Sequence, residues 1–131
     1  MLFRSFRDGG PRIDHFISVD GTSPTGITHM GLGSHRYRVT FKGPGGHSWG
    51  AFGLANPAHA MGQAIGYFQD GAAPYTATAP FRTSYNVGRM GGGTSVNSVP
   101  FESWMEIDMR SEGDATLDAV DAILQIGRAH V

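Results

Sequence analysis

Residues 36–42 read RYRVTFK, and apolar side chains alternate strictly with charged or polar ones along this stretch. Tyr37, Val39 and Phe41 share one face of an extended chain, and the residues between them share the other. Such alternation is typical of a strand in an antiparallel sheet that has one face on a core and one in water. The Gly-Pro-Gly-Gly run at 43–46 then favours a turn. The sequence therefore predicts a half-buried strand followed by a glycine-rich turn.

A helix is predicted to begin at Asn56-Pro57, because asparagine is a favoured N-cap and proline a favoured first helical residue. An apolar stripe follows at helical spacing, formed by Met61, Ala64, Ile65 and Phe68. Asp70-Gly71 is predicted to close the helix, and residues 74–80, rich in alanine, threonine and proline, to form a connector.

Two more strands and a second helix are predicted from residue 82 onward. Residues 82–88 (RTSYNVG) fit a strand, the glycines at 91–93 interrupt the pattern, and a second alternating strand follows. One face of that strand carries Ser103, Met105, Ile107 and Met109. Asp114 is predicted to cap a helix whose apolar residues are Leu117, Val120 and Leu124.

This order of elements predicts an α+β fold. Strand, helix, strand, strand, helix is a ferredoxin-like β-α-β-β-α unit whose last strand is missing, with an antiparallel sheet and two helices on one face. The missing strand is expected to leave a sheet edge open to aggregation.

The two ends of the chain differ from the rest. Residues 1–5 and 125–131 can be encoded by two DNA strings that are close to reverse complements and that both resemble a common sequencing adapter. We therefore expect both segments to be adapter-derived and set them aside from the fold. Near the first end, a short buried strand is predicted at 13–19, and it stops at the turn-forming Asp20.

Composition excludes several classes of function. The 131 residues are 40% hydrophobic and 16% charged, which suits one compact domain. The net charge of −1 argues against nucleic-acid and anionic-membrane partners, and the short apolar runs predict no transmembrane helix. The absence of cysteine excludes disulfides, thiolate nucleophiles and cysteine-held metals, which leaves His, Asp and Glu as possible metal ligands.

Four residues stand where chemistry is possible, and each also has a purely structural interpretation. His47 follows the glycine-rich turn and is either functional or simply exposed, and composition alone favours the second. Asn97 lies in the loop 91–100, as a substrate-binding carboxamide or as part of a flexible hairpin. Arg110 suits bidentate carboxylate capture, or a surface salt bridge with Asp108 or Glu112. The strand-end carboxylate of Asp20 is a metal ligand or a turn former.

The residues also limit two further hypotheses. A phosphate-binding loop built on residues 43–46 lacks the Lys-Ser/Thr pair of a Walker motif, so a nucleotide-binding module has little support. The spacing of the histidines builds no zinc site by itself.

Three motifs in this order resemble one known family. They are GLGSHRYRVTFKGPGGHSWGAFGLANPAHAMGQAI at 31–65, TSYNVGRMGGGTSVNSVP at 83–100, and the strand that closes in Asp-Met-Arg at 108–110. Together they are similar to the dimerisation (lid) domain of the di-zinc metallopeptidase superfamily of aminoacylase, carboxypeptidase G and tripeptide aminopeptidase. Upstream, FISVDG at 16–21 resembles the point where the tripeptide-aminopeptidase branch leaves its catalytic domain.

The resemblance implies a role for each of the four residues. His47 would reach into the active site of the partner subunit and stabilise the tetrahedral oxyanion. Asn97 would contact the substrate carbonyl or carboxylate, and Arg110 the substrate's terminal carboxylate. Asp20 would be a terminal ligand to one of two zinc ions.

The resemblance also implies a domain organisation and an activity. Residues 6–21 would end the catalytic domain, and residues 22–124 would form the lid of a cytoplasmic, homodimeric zinc-dependent exopeptidase acting on short peptides or N-acyl amino acids. The family's other metal ligands and its general-base glutamate have no counterpart here, so we expect this chain alone to be inactive. A non-catalytic dimerisation or binding module with the same lid fold is the alternative.

Overall fold

The computed structural model describes residues 14–15, 17, 25–26 and 31–129. The strand predicted at 13–19 lies largely outside these residues, and Asp20 lies wholly outside them. The elements are β1 (Gly33–Lys42), β2 (Gly46–His47), α1 (Pro57–Thr78), β3 (Thr83–Gly92), β4 (Ser98–Val99), β5 (Glu102–Ser111) and α2 (Asp114–Ala129). This order confirms the α+β, ferredoxin-like prediction. No helix in the described part of the chain is long and apolar enough to cross a lipid bilayer.

The main sheet has three antiparallel strands in the order β1-β5-β3. In this register Val39 of β1 and Met90 of β3 both pair with Met105 of the central strand. Within the described residues, β1 and β3 are therefore the two edge strands, and their outer backbone groups have no neighbour in the sheet.

The core lies between this sheet and both helices. The strand β5 contributes Met105 and Met109, which are fully buried, as the alternation in the sequence predicts. The two helices close over it with Ala64, Phe68, Ala72, Leu117, Val120 and Leu124. Burial of each large side chain stabilises the fold by about 1.5–3 kcal/mol. The prediction that both helices cover one face of the sheet is thus confirmed.

The helix α1 begins where the sequence predicts. Asn56 has an extended backbone, and its Oδ1 accepts hydrogen bonds from the amides of Ala58 at 2.9 Å and His59 at 3.4 Å. Pro57 is the first helical residue, where its missing N–H costs nothing.

The predicted end of α1 is wrong. The helix continues through Gly71 and Pro74 to Thr78, so most of the predicted connector at 74–80 is helical. Ala72 is fully buried and Tyr75 packs against the core, which gives this segment an apolar face one turn beyond the predicted stripe. Burial against the sheet and α2 outweighs the local preference of glycine and proline for turns.

Two other boundaries also differ from the sequence-based expectation. The strand β3 runs through Gly91 to Gly92 rather than stopping near residue 88. The helix α2 extends past Leu124 to Ala129, through residues that we set aside. Pairing along the whole length of β5 explains the first difference, because a ten-residue central strand supplies backbone partners as far as Ser103.

Candidate functional site

A small two-stranded ribbon brings His47 and Asn97 together. The strands β2 and β4 are antiparallel, with His47 opposite Ser98 and Gly46 opposite Val99. Just beyond this ladder, the amide N of Ser48 donates to the carbonyl O of Asn97 at 2.9 Å. Two segments fifty residues apart thus present an imidazole and a carboxamide from adjacent backbone positions. Both side chains are exposed.

The glycines before His47 allow the chain to turn tightly into the ribbon. Gly45 has φ +68° and Gly46 has φ +143°, a backbone region that side-chain-bearing residues rarely adopt. A Cβ on Gly45 would lie 2.5 Å from the ring of Phe101, and a Cβ on Gly46 would lie 2.7 Å from the Cβ of Ala51. The glycines therefore serve close packing of the turn against its surroundings.

Two amides on either side of this turn are engaged within the chain. The amide of Gly43 donates to the carbonyl O of Phe101 at 2.9 Å, and that of Ala51 donates to the carbonyl O of His47 at 2.7 Å. A phosphate-binding nest needs successive free N–H groups that converge on one anion. The amides of Gly43 and Ala51 are therefore not available to a phosphate.

The imidazole of His47 is oriented by its own loop. The amide N of Trp49 donates to His47 Nδ1 at 3.3 Å. An imidazole that accepts a hydrogen bond at Nδ1 carries its proton on Nε2 when it is neutral. His47 therefore presents an Nε2–H donor to whatever lies in front of the ribbon.

The carboxamide of Asn97 is oriented in a similar way. Ser95 Oγ donates to Asn97 Oδ1 at 2.8 Å and lies 2.7 Å from Ser98 Oγ. This contact holds Oδ1 in place, and the Nδ2 group of Asn97 can donate to a ligand. The ribbon thus offers two side-chain N–H donors, one from each strand end.

Exposed apolar side chains flank the ribbon. In the loop after β2, Trp49 is 88% exposed and Phe52 is 90% exposed, and Val96 and Phe101 are exposed on the side of β4. Large apolar side chains left in water near a polar site are typical of a surface that meets another protein or a ligand.

Arg110 lies away from the ribbon. It stands near the end of β5, whereas the ribbon follows the opposite end of the sheet, beside Lys42 and Glu102. Eight residues of extended chain separate Glu102 from Arg110, which is roughly 27 Å. Within one chain, therefore, Arg110 does not share a small-molecule site with His47 and Asn97.

The surroundings of Arg110 are polar. Its Nε donates to Asp108 Oδ2 at 2.7 Å, which is the salt bridge that the structural interpretation of this residue predicts. The hydrogen bond from Arg110, followed by a similar one from Arg36 Nε at 2.7 Å, holds the pKa of Asp108 below its ordinary value. Arg110 also lines a cleft of about 320 Å³ together with Leu32, Arg82, Ser84 and Glu112.

The open face of the main sheet, opposite the helices, carries charged residues that were not singled out from the sequence, besides Arg110 and Asp108, which were. Arg36, Arg38, Arg89 and Glu106 line a groove there. The alternation of β1 is enough to predict that Arg36 and Arg38 lie on this face. Arg89 lies there only because of a β-bulge, which no sequence pattern predicts.

No metal centre forms within residues 14–15, 17, 25–26 and 31–129. Nowhere in these ranges do three or more His, Cys, Asp or Glu side chains come together in a way that could hold a metal ion. The residues present therefore do not fit the two zinc ions that the resemblance implies, and Asp20 lies outside the described part.

The fold and the ribbon define a dimerisation-type lid domain. A family model described as the peptidase dimerisation domain matches residues 32–126. The chain belongs to this family, which confirms the resemblance read from the three sequence motifs.

Solved structures of several larger proteins contain the same fold. The aminobenzoyl-glutamate utilization protein from Klebsiella pneumoniae is 28% identical over 76% of this chain and 24% of its own, with a TM-score of 0.64. A hydantoinase/carbamoylase family amidase from Burkholderia multivorans is 24% identical over the same shares, with a TM-score of 0.63. Another, from Burkholderia ambifaria, is 20% identical over 77% and 24%, with a TM-score of 0.67.

The matched proteins are much longer than this chain. It spans about a quarter of the length of each of these proteins. No curated protein sequence matches the chain.

Proposed function

We propose that this chain is the lid of a homodimeric hydrolase that cleaves amide bonds in short peptides or N-acyl amino acids, and that its ribbon serves the active site of the partner subunit. The main support for this proposal is that His47 and Asn97 lie on the same ribbon, whereas Arg110 lies near the opposite end of the sheet. The family match and the amidase and utilization proteins that share the fold support this reading.

The proposed role of the ribbon is to stabilise negative charge on the substrate. When water adds to an amide carbonyl, negative charge develops on the carbonyl oxygen, and a donor aimed at that oxygen is worth about 10²–10³ in turnover. His47 suits this role because its Nδ1 already accepts from Trp49, which leaves Nε2–H to donate. Asn97 would hold the substrate carbonyl or carboxylate through Nδ2, since its Oδ1 is engaged by Ser95.

The catalytic metal ions would be held elsewhere. In the proposal, two zinc ions are bound by the catalytic domain of a longer protein, with Asp20 as one ligand. The residues described here provide no ligand set for a metal ion, so no step of the reaction is assigned to a metal on this lid.

A two-fold axis beside β3 would bring the separated residues to one site. Thr83, at the start of β3, pairs with Ser111, next to Arg110, while the other end of β3 lies near the ribbon. If two copies of β3 pair antiparallel, each Thr83 end meets the partner's opposite end. Arg110 of one subunit would then approach His47 and Asn97 of the other, and could hold the terminal carboxylate of the same substrate.

Subunit mixing in the full-length protein tests this proposal. A His47→Ala subunit is combined with a subunit that lacks one metal ligand of the catalytic domain, and hydrolysis of dipeptides and N-acyl amino acids is measured. We expect both homodimers to be nearly inactive and the heterodimer to recover activity, because one of its sites combines an intact metal centre with an intact His47. No recovery, with heterodimers confirmed by native mass spectrometry, would contradict the proposal.

The same assay addresses the non-catalytic alternative. An unmodified full-length protein that dimerises but hydrolyses neither class of substrate would favour a dimerisation or binding module over an enzyme.

A further inference from the structure

The open face of the main sheet, which is the face opposite the helices, carries most of the charge of the strands. It holds five basic and three acidic side chains, contributed by Arg36, Arg38, Lys42, Arg89, Arg110, Glu102, Glu106 and Asp108. The face is therefore positive by two charges, although the whole chain has a net charge of −1.

The charges on this face form two clusters. In the Asp108 cluster, the carboxylate accepts from Arg36 Nε and Arg110 Nε, both at 2.7 Å. In the Glu106 cluster, the carboxylate accepts from Arg38 Nη1 at 3.2 Å and Arg89 Nη1 at 2.9 Å. Two guanidinium groups share one carboxylate in each case, so each cluster keeps one positive charge.

Each cluster also keeps unused hydrogen-bond donors. A guanidinium has five N–H groups, and each of these four arginines donates to its carboxylate through one nitrogen. One further carboxylate per cluster would neutralise the charge and engage the remaining donors.

A β-bulge builds the second cluster. Val87 pairs with Ile107 and Arg89 pairs with Glu106, so Gly88 is the extra residue. In a regular ladder Gly88 would face Glu106, and Arg89 would point toward the helices. The bulge interrupts the regular pairing of β3 with β5, and as a result Arg89 lies on the open face. An exposed ion pair returns only about 0–1 kcal/mol, so stability alone accounts poorly for this arrangement.

The two clusters lie along a groove of about 480 Å³. Asp108 and Glu106 are two residues apart on β5, so the clusters are roughly 6.7 Å apart. Side chains at positions i and i+2 of an extended peptide have the same spacing and point to the same side. The geometry of the groove therefore matches two alternate carboxylates of an extended chain.

We propose that this groove binds an extended acidic segment of a partner protein, with Asp or Glu at two alternate positions seated on the two clusters. Arg110 belongs both to the Asp108 cluster and to the substrate role proposed above, but the test of this proposal measures peptide binding alone and does not depend on amide hydrolysis. Charge complementarity selects an acidic segment, and the spacing selects alternate rather than adjacent carboxylates.

Trp104 provides a direct signal for binding. The guanidinium carbon of Arg38 lies 4.0 Å from the centroid of the Trp104 ring, and that of Arg89 lies 5.7 Å from it. The ring packs closely over Gly91, where a Cβ would lie 2.8 Å from it. Because the chain has two tryptophans, a Trp49→Phe background leaves Trp104 as the single fluorescent reporter.

The experiment titrates this Trp49→Phe chain at low salt with two synthetic peptides of identical composition. In one, two glutamates alternate with threonine in a threonine-rich chain, and in the other the two glutamates are adjacent. We expect the alternating peptide to change the Trp104 fluorescence and to bind several-fold more tightly than the adjacent one, with affinity falling as salt screens the charges.

Matched variants locate the binding. Arg36→Gln and Arg89→Gln are each expected to weaken binding by about three- to tenfold. Lys42→Gln removes the same charge from the same face but outside the groove, so it should change affinity by less than about twofold.

Four results would overturn the proposal. They are no binding of the alternating peptide at low salt, equal binding of both peptides, equal loss in the Lys42 and Arg89 variants, and equally tight binding of free citrate or of a single-stranded oligonucleotide. Circular dichroism of each variant checks that the fold is retained, and an unfolded Arg89→Gln is replaced by Arg89→Lys, which keeps the charge but loses the bidentate geometry.

Discussion

His47 pairs with Ser98 across the β2-β4 ladder, and this pairing sets the backbone of His47 next to that of Asn97. His47 precedes α1 in the chain, and Asn97 follows β3. Only the pairing of β2 with β4 brings the two residues to one ribbon.

Substitution of Gly45 is expected to disturb the ribbon. A Gly45→Ala side chain would have to adopt φ +68° and would meet the Phe101 ring at 2.5 Å. We expect the free energy of unfolding to fall by about 1–3 kcal/mol. Gly50→Ala is the control, because nothing lies within 4 Å of its Cβ position, and urea unfolding compares the two. Equal stability of the two variants would contradict this account of the turn.

Two glycines of α1 should respond differently to alanine. A Cβ on Gly66 meets nothing within 4 Å, whereas a Cβ on Gly71 would lie 2.6 Å from Ile123 Cγ2 of α2. Gly66→Ala should stabilise the protein by about 0.5–1 kcal/mol through helix propensity. Gly71→Ala should instead destabilise the protein, because α1 and α2 must move apart at that point to make room for the added methyl group. Thermal unfolding of both variants decides, and equal stabilisation would rule out close packing at Gly71.

The N-cap of α1 should contribute measurably to stability. Asn56→Ala removes the acceptor of the Ala58 and His59 amides and should cost about 1 kcal/mol in unfolding free energy. Asn56→Asp keeps an acceptor oxygen in place and should cost much less. If both variants lose the same stability in urea unfolding, the cap is not the cause.

The carboxyl of Asp108 should titrate below its ordinary pKa of 3.8, because Arg110 and then Arg36 donate to it. A group whose pKa is lowered on folding adds stability above its unfolded-state pKa, and this stability is lost as pH falls through the folded-state pKa. This contribution to stability is therefore present above about pH 4, and its loss is confined to lower pH. Carboxyl-carbon NMR titration should show a larger pKa rise in Arg110→Gln than in Arg36→Gln. The reverse order would contradict the assigned cause.

Much of the fold could be predicted because its signals are local. The alternation at 103–109 and the helical spacing of Leu117, Val120 and Leu124 each report one face of one element, and the core uses those faces. The wrong end of α1 has a non-local cause. Gly71 and Pro74 are turn signals on their own, and the contact of Gly71 with Ile123 exists only once both helices lie on the sheet.

The site shows the same division. The sequence identifies His47, Asn97 and Arg110 as candidate site residues. It does not predict that Arg110 lies far from the other two, because that distance depends on which end of β5 each residue lies near. Arg89 was missed altogether, since a bulge at Gly88 reverses the face that simple alternation assigns to it.

In the function proposed above, Arg110 and His47 serve one active site from different subunits. In the full-length protein, a His47→Ala subunit mixed with an Arg110→Ala subunit gives heterodimers in which one site is intact and the other lacks both residues. After equal mixing we predict recovery to about a quarter of the unmodified activity, since about half of the dimers are mixed and each has one good site. As the matched control, a subunit carrying both substitutions, mixed with unmodified subunits, should form inactive heterodimers. No recovery in the first mixture, with half-active heterodimers in the second, would show that both residues act within one subunit and would contradict the account.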